Sequence, residues 1–489
     1  MPVPTRNSIY PIYAPSRGLV LNTPSTYLDV RATPDCQNAR FYDSIVEKRT
    51  GYPSAYADGT ITGVPLKLYT YTKGTTDYEI LGTTTRLIQR SGTGDWTEIK
   101  TLTALTSITL CTMHKSGVFY LIYGSKENAP RMWSGAGTDA AISEASTYKP
   151  KIMLPYQFRL LMFNYYSGAT DMPITFRYTV ADDFEDWDGT GSNARNMVQG
   201  EGTEIVNAVA IKDYVGVYKD KSISVLDYVG GSSIFATAVH IEKIGLLAQD
   251  AIVNLGTSHI FLGSDYNIYE WNGGWELVPI GNAVKKYIKD NIYKLNKLRC
   301  FAVPNYERTE AHFFIPIADD YPTRFLTYNW TDKTWALNTC TSCSGGGNLN
   351  TSGVEKSIFA LSAGTVHNYD YSSLNDGDTA IDSYFTTPDV TIDKEEYKIK
   401  MKDFKNVYVD AKGNNLGMQY STSEGSTGSW STVDTDTLDS TTVYNLHAFN
   451  YAQAARNIRF KFANATASES YAVRFVGIEH KDIKQSGRK

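Results

Sequence analysis

The chain holds 489 residues, 42% apolar and 20% charged, so it can bury a core and is not a disordered tail. Tyr is the outlier, at 35 residues beside 19 Phe, 8 Trp and 38 Gly. That balance fits turn-rich pleated sheet and argues against a helical bundle, a coiled coil or a membrane bundle. The 52 acidic and 47 basic side chains leave a net charge of −5, which argues against a DNA-coating protein but not against a channel through which DNA slides.

The length allows roughly two to four domains of about 150 residues, or one large all-β domain with a smaller companion. Residues 1–10 carry no apolar segment of the secretory kind, and no run of about 18 apolar residues occurs, so neither a signal peptide nor a membrane span is expected. Synthesis in a cytoplasm follows from that reading. The five cysteines are odd in number and sparse, which argues against a disulfide scaffold. The one close pair, Cys340 and Cys343, has no second pair and no neighbouring histidines. It runs into a Gly-, Ser- and Asn-rich stretch, 342–352, that reads as a loop.

Short apolar or alternating runs then recur along the chain with turn signals between them. Residues 66–72 form the first, and 78–90 predict a hairpin. Runs at 107–114 and 117–123 flank a turn at Lys115 and Ser116. Runs at 152–163, 174–180 and 206–211 follow, then 213–219 and 222–228 around Asp220 and Lys221. Runs at 259–262 and 266–271 lead to Asn272, Gly273 and Gly274, a strong hairpin signal before 275–280. Residues 300–304, 311–316, 324–328, 357–362 and 365–371 complete the series. One segment, 282–295, places Val284, Tyr287, Ile288, Ile292 and Leu295 at helical spacing with lysines opposite.

Three stretches share a pattern of apolar strand, polar turn and second strand ending in an aromatic: 215–228, 260–271 and 358–369. Neighbouring units recur at about 40 to 50 residues, the spacing of propeller blades. Beyond residue 387 the composition shifts. Runs at 403–410, 416–421, 441–449, 457–462 and 471–478 alternate between two faces and predict a small antiparallel sandwich. The expected fold is therefore all-β: a β-propeller-like array of short antiparallel strands with an inserted helix, plus a C-terminal β-sandwich. The divisions are an irregular N-terminal segment over 1–52 leading into the first blade, a propeller-like domain over 53–388, and a sandwich with a basic tail over 389–489.

Candidate chemistry is thin. The acidic run Asp182, Asp183, Glu185, Asp186 and Asp188 fails as a calcium loop because Phe184 stands where the first ligand belongs. As a glycosidase pair it has no identifiable partner carboxylate; a solvated loop capped by Trp187 is the plainer reading. The seven histidines have no metal-ligand spacing, and no GxSxG, Walker A or HExxH motif occurs, so no catalytic residue, metal or cofactor is assigned. Residues 420–430 are loosely like a sialidase Asp-box, with Ser423 where the Asp belongs. Exposed aromatics fit a subunit interface or a sugar-binding face. The basic tail, Lys481, Lys484, Arg488 and Lys489, can touch DNA or an acidic neighbour.

Taken in order, these segments resemble the tail hub or nozzle proteins of short-tailed bacteriophages. The likeness is carried by 18–22, by Leu28, Ala32 and Asn38, and by 46–52 with its Arg49, Gly51 and Tyr52. It continues through the strand, acidic loop and Trp of 176–187, the strand pair of 205–228, and 243–248. Asn272 to Gly274 and the Pro279, Ile280, Gly281 turn into a helix extend it, and Val409, Trp430 and 456–459 end it. The resemblance implies a β-propeller virion protein that forms a ring, a hexamer, below the portal and adaptor. Such a ring encloses a channel for double-stranded DNA, meets tail fibre or needle proteins, retains the packaged genome and lets it out on ejection. Under it, the acidic loop is a candidate channel or gate element. The alternative is an adsorption protein that binds surface receptors or glycans, with or without glycosidase activity.

Overall fold

The computed structural model describes residues 8–53, 61–92, 94–351, 353–392, 394–395, 398–399, 401–422 and 429–482. Antiparallel strands dominate them, as alternating and β-branched runs between tight turns dictate. Five four-stranded sheets and one seven-stranded sheet follow one another along residues 65–368. The seven-stranded sheet is two blades in one: four strands from 65–101, and three from Cys343–Thr351, Val354–Leu361 and Val366–Asn368. The described residues thus form seven blades, the β-propeller expected from the repeat. The segments 215–228, 260–271 and 358–369 are the second and third strands of blades four, five and seven.

Ring closure falls where a loop is expected. Residues 343–351 are a strand, and Gly346 lies parallel to Lys67 of the first strand of blade one. A Cβ at Gly345 would sit 2.2 Å from the Leu66 carbonyl oxygen, and one at Gly347 2.5 Å from that of Leu68. The glycines that read as loop composition are what lets two inner strands approach. Cys340 and Cys343 are buried free thiols in an apolar core with Tyr52, Phe301, Phe314 and Phe359. Burial pushes the Cys343 thiol well above its usual range, so it is unreactive packing.

The sandwich draws on both ends of the chain. One sheet pairs Lys402–Gly413 with Tyr471–Asp482 and adds Ser8–Pro11, Ala39–Tyr42 and Ile45–Lys48; the other contains Cys36–Gln37 and Ser383–Thr386. The N-terminal segment, expected to be an irregular lead-in, supplies four strands to a sandwich whose sheet starts before residue 389. Ser8–Pro11 and Cys36–Gln37 have no partner nearby in sequence, and Ala39–Tyr42 and Ile45–Lys48 make only a hairpin of four-residue strands, which is why the segment reads as irregular. The apolar core runs unbroken from the sandwich (Phe385, Phe462, Val473) through Phe41 and Val46 into blades five and six (Ile260, Phe313, Trp335).

The helix is shorter than its pattern. Only Lys285–Asn291 is α-helical, with Val284, Ile288 and Ile292 buried against that core. Ile292 turns extended, and Lys294–Arg299 follows as a kinked 3-10 segment, which leaves Leu295 exposed instead of on the buried face. Among the described residues, no helix is long and apolar enough to cross a membrane.

A buried cation ties these parts together. Arg49 is 1% exposed and forks onto Asp376 at 2.8 and 2.5 Å. It also donates to Asn38 Oδ1 at 3.0 Å and to the Thr50 and Thr339 carbonyls. Asn38 in turn donates to the Asp382 carbonyl and accepts from the Thr339 N–H. N-terminal segment, blade six and inter-domain linker meet at one guanidinium. Asp376→Ala, which leaves Arg49 buried without its anion, is expected to lower stability by about 3–5 kcal/mol, read from chemical denaturation.

Two core histidines make the fold acid-sensitive. Burial lowers His259, which bonds Tyr218 and the Ala210 carbonyl, to about 4; it lowers His312, aided by the nearby Arg49, to about 3. Both stay neutral in the fold but take up a proton near pH 6.5 once unfolded. Stability is therefore full above pH 6.5 and falls as pH drops toward 4. Unfolding free energies should be level from about pH 7.5 to 6.5 and then decline by about 1.4 kcal/mol per pH unit per histidine down to about pH 4.5; a flat profile would contradict this.

Candidate functional site

Antiparallel blades place their loops on two opposed faces. Connections from fourth to first strands, and from second to third, lie on one face; the remaining turns lie on the other. The first face holds the mouth of the central channel, a cavity of about 890 Å³ lined where the first strands begin. Below it Lys67 of blade one reaches across the axis to Asp250 before blade five, at 2.7 Å. Further polar links cross between blades at the same level: Lys151 meets Glu204 at 3.0 Å, and the Gln249 amide donates to the Lys151 carbonyl at 3.1 Å. Side chains thus cross the propeller channel below its mouth.

The acidic loop lies on the opposite face, between the third and fourth strands of blade three. Phe184 and Trp187 are fully buried between blades two and three. Lys115 from the neighbouring blade binds Asp183 at 2.5 Å and Glu185 at 2.9 Å. Burial opposes ionisation of Asp183, but the Lys115 ammonium and the Glu185 N–H outweigh it and hold its carboxyl below the usual range. Asp186 caps the backbone, accepting from the Gly189 N–H at 2.6 Å, and Asp188 pairs with Arg177. Asp182 is exposed, in the left-handed region at φ 61°. The run is a folded corner that keeps a negative excess, and Trp187 is core. Of the basic tail, Lys481 lies in the strand Tyr471–Asp482, while Lys484, Arg488 and Lys489 are outside the described residues, as is Ser423.

Sequence reasoning passed over the residues that stand out on this face. The apolar run 152–163 is not one strand. It folds back at Gln157 and Phe158, both at positive φ (50° and 58°), and Tyr156 pairs with Arg159. Two consecutive positive φ values define the tight hairpin turn that usually takes Asn-Gly. Phe158 has a bulky side chain in that strained state, yet its ring is 74% exposed. Its carbonyl accepts from the Asp182 N–H at 2.8 Å, so turn and acidic loop are one surface. Other tips on this face are exposed apolar groups: Phe119 in blade two, Tyr228 and Val229 in blade four, Trp275 in blade five, Tyr306 in blade six and Val354 in blade seven. Trp275 is stacked on His240, with ring centroids 4.0 Å apart. No turn signal accompanies Phe158, so only its strand-breaking geometry reveals it.

No protein-family model matches the chain, and no curated protein matches it. Among solved structures it is similar to PorZ, an essential bacterial surface component of the type-IX secretion system of Porphyromonas gingivalis. That match has 10% identity and a TM-score of 0.39, over 69% of this chain and 42% of that one. The chain thus spans less than half the length of that PorZ chain. It is also similar to the WD40 β-propeller domain of Doa1, at 10% identity and a TM-score of 0.41, over 66% of this chain and 97% of that one. These likenesses carry nothing about function.

The strained, exposed Phe158 gives a direct test. Phe158→Gly removes the Cβ clash while sacrificing little packing, so chemical denaturation should show a gain of about 1 kcal/mol. A loss would mean that the ring packs in solution.

Proposed function

We propose that the chain is a structural subunit of the tail of a short-tailed phage, a hub or nozzle protein. It assembles as a ring, a hexamer, below the portal and adaptor, forms part of the DNA channel, retains the packaged genome and lets it pass on ejection. The observation that carries this reading is the collar of exposed aromatic and apolar tips on one face of a rigid propeller, from Phe119 through Phe158, Tyr228 and Trp275 to Tyr306. Aromatic tips presented on one face fit contact with other subunits, where Tyr, Trp and Phe are enriched. A ring of identical heterologous contacts closes when the rotation between subunits divides the circle. With Lys67 and Asp250 crossing the propeller axis, the DNA path belongs between subunits, not through any one of them. The mild net negative charge keeps that wall from holding DNA.

A segment central to the family resemblance has a physical role here. Arg49 holds the buried node, and a Cβ at Gly51 would lie 1.8 Å from the Asn375 carbonyl oxygen, so that turn accepts only glycine. A virion protein that bears internal DNA pressure needs its domains fixed to one another, and this node supplies that.

The second reading, a glycan-binding adsorption protein, draws on the exposed Trp275 with its ring braced by His240. Aromatic faces of this kind stack on sugars as well as on proteins.

Electron microscopy of the purified protein mixed with portal and adaptor proteins of a short-tailed phage separates the two. Closed rings that dock on the adaptor, and that are lost in the double variant Phe158→Asp, Trp275→Asp, are expected. A protein that stays monomeric with both partners overturns the ring reading. Glycan-array binding abolished by Trp275→Ala would favour the second.

A further inference from the structure

The channel mouth, on the face away from the collar, has an unbalanced charge. Four carboxylates line it, and each is engaged. Glu204 holds Lys151 at 3.0 Å and the Asn164 amide at 3.2 Å; Asp250 holds Lys67 at 2.7 Å. Asp265 holds Lys285 at 2.6 Å and accepts from the Tyr269 hydroxyl at 2.9 Å; Asp220 accepts from the Thr203 N–H at 2.7 Å. Three lysines lining the same cavity, Lys221, Lys243 and Lys297, have no carboxylate in ion-pair distance among the described residues.

Their placement is fixed. Lys243 sits at φ 67°, a conformation that long side chains seldom adopt. The loop that carries it is pinned on both sides: Leu246 N–H donates to the Lys219 carbonyl at 3.0 Å, and Gly245 N–H to Ser264 Oγ at 3.2 Å. Lys297 lies in the 3-10 segment beside Leu295 and Leu298, which are 82% and 66% exposed at the rim. Cation and apolar rim are thus presented together, over a cavity of about 890 Å³.

We infer that the mouth of the propeller channel binds an extended acidic peptide segment of a partner protein, with its carboxylates on Lys221, Lys243 and Lys297 and its apolar side chains on Leu295 and Leu298. The volume is that of a site for a few residues. A DNA duplex is too wide for a cavity closed below by Lys67 and Asp250, and a nucleic-acid strand leaves the leucines without partners. The inference does not rest on the ring reading, since it concerns the opposite face and one subunit.

The test is fluorescence anisotropy on the full chain with three labelled probes: a ten-residue peptide alternating Glu and Leu, its Lys and Leu counterpart, and a ten-nucleotide oligo-dT. Saturable binding of the Glu–Leu peptide alone is expected, weakening as salt rises. The triple variant Lys221→Glu, Lys243→Glu, Lys297→Glu should weaken it by about tenfold or more. Leu295→Ser with Leu298→Ser should weaken it with the salt dependence kept. All variants sit on exposed or half-exposed side chains, and an unchanged melting curve certifies their fold. Absence of binding, binding indifferent to the lysine reversals, or tighter binding of oligo-dT than of the acidic peptide overturns the inference.

Discussion

The structure depends on one buried guanidinium. Arg49 is removed from water, so its charge must be met inside the protein, and Asp376 meets it with two hydrogen bonds. The remaining donors need carbonyls, and Thr50 and Thr339 supply them. Those demands come from three separate stretches of chain. Once they are satisfied, the N-terminal strands cannot shift against blade six, nor the linker against either. Arg40 repeats the arrangement nearby, bridging Glu47 and the buried Glu310. Apolar packing supplies the bulk of the core, but it is not directional. The buried ion pairs fix the register in which sandwich and propeller meet.

Electrostatics divides the propeller into two unlike faces. On the collar face, Lys115 and Arg177 pair with Asp183, Glu185 and Asp188 of the acidic loop, and exposed aromatic tips stand beside it. At the channel mouth three of the four carboxylates are paired with lysines, and Lys221, Lys243 and Lys297 are left over. A chain whose overall charge is only −5 can therefore still present an apolar face and a cationic one.

Much of this was legible in the sequence, in proportion to how local its causes are. Paired strands with their own turn, such as 215–228 and 260–271, announce themselves because pattern and partner lie within a dozen residues. The sandwich strands after 402 alternate cleanly because each buries one face. Three features were opaque for physical reasons. The strand 343–351 carries glycines because another backbone lies against it, and composition alone cannot tell that from a loop. The turn at Phe158 lacks Asn or Gly, so nothing interrupts the apolar run 152–163. Ser8–Pro11 and Cys36–Gln37 find their partners more than 300 residues away, and the short hairpin of Ala39–Tyr42 and Ile45–Lys48 is joined to its sheet by Tyr471–Asp482. The candidate site was the least legible part. The acidic run drew attention by its charge, whereas the residues that face solvent, Phe158 and Lys243, are ordinary types in unusual backbone states.

The distance between paired strands has a consequence for how the chain is made. Ser8–Pro11 and Ile45–Lys48 pair with Tyr471–Asp482, and 51–53 runs beside 368–377, whose backbone it bonds. During synthesis Ser8–Pro11, and the outer edge of the hairpin that Ala39–Tyr42 makes with Ile45–Lys48, must wait unpaired until more than four hundred further residues have emerged. Blade one likewise has an open inner edge until Gly346 arrives. The polypeptide thus matures late and all at once, with exposed strand edges in the interval, the condition in which nascent chains cross-pair with their neighbours. A producing cell would have to keep such chains apart, and their yield should depend on chaperone supply more than on the stability of the finished fold.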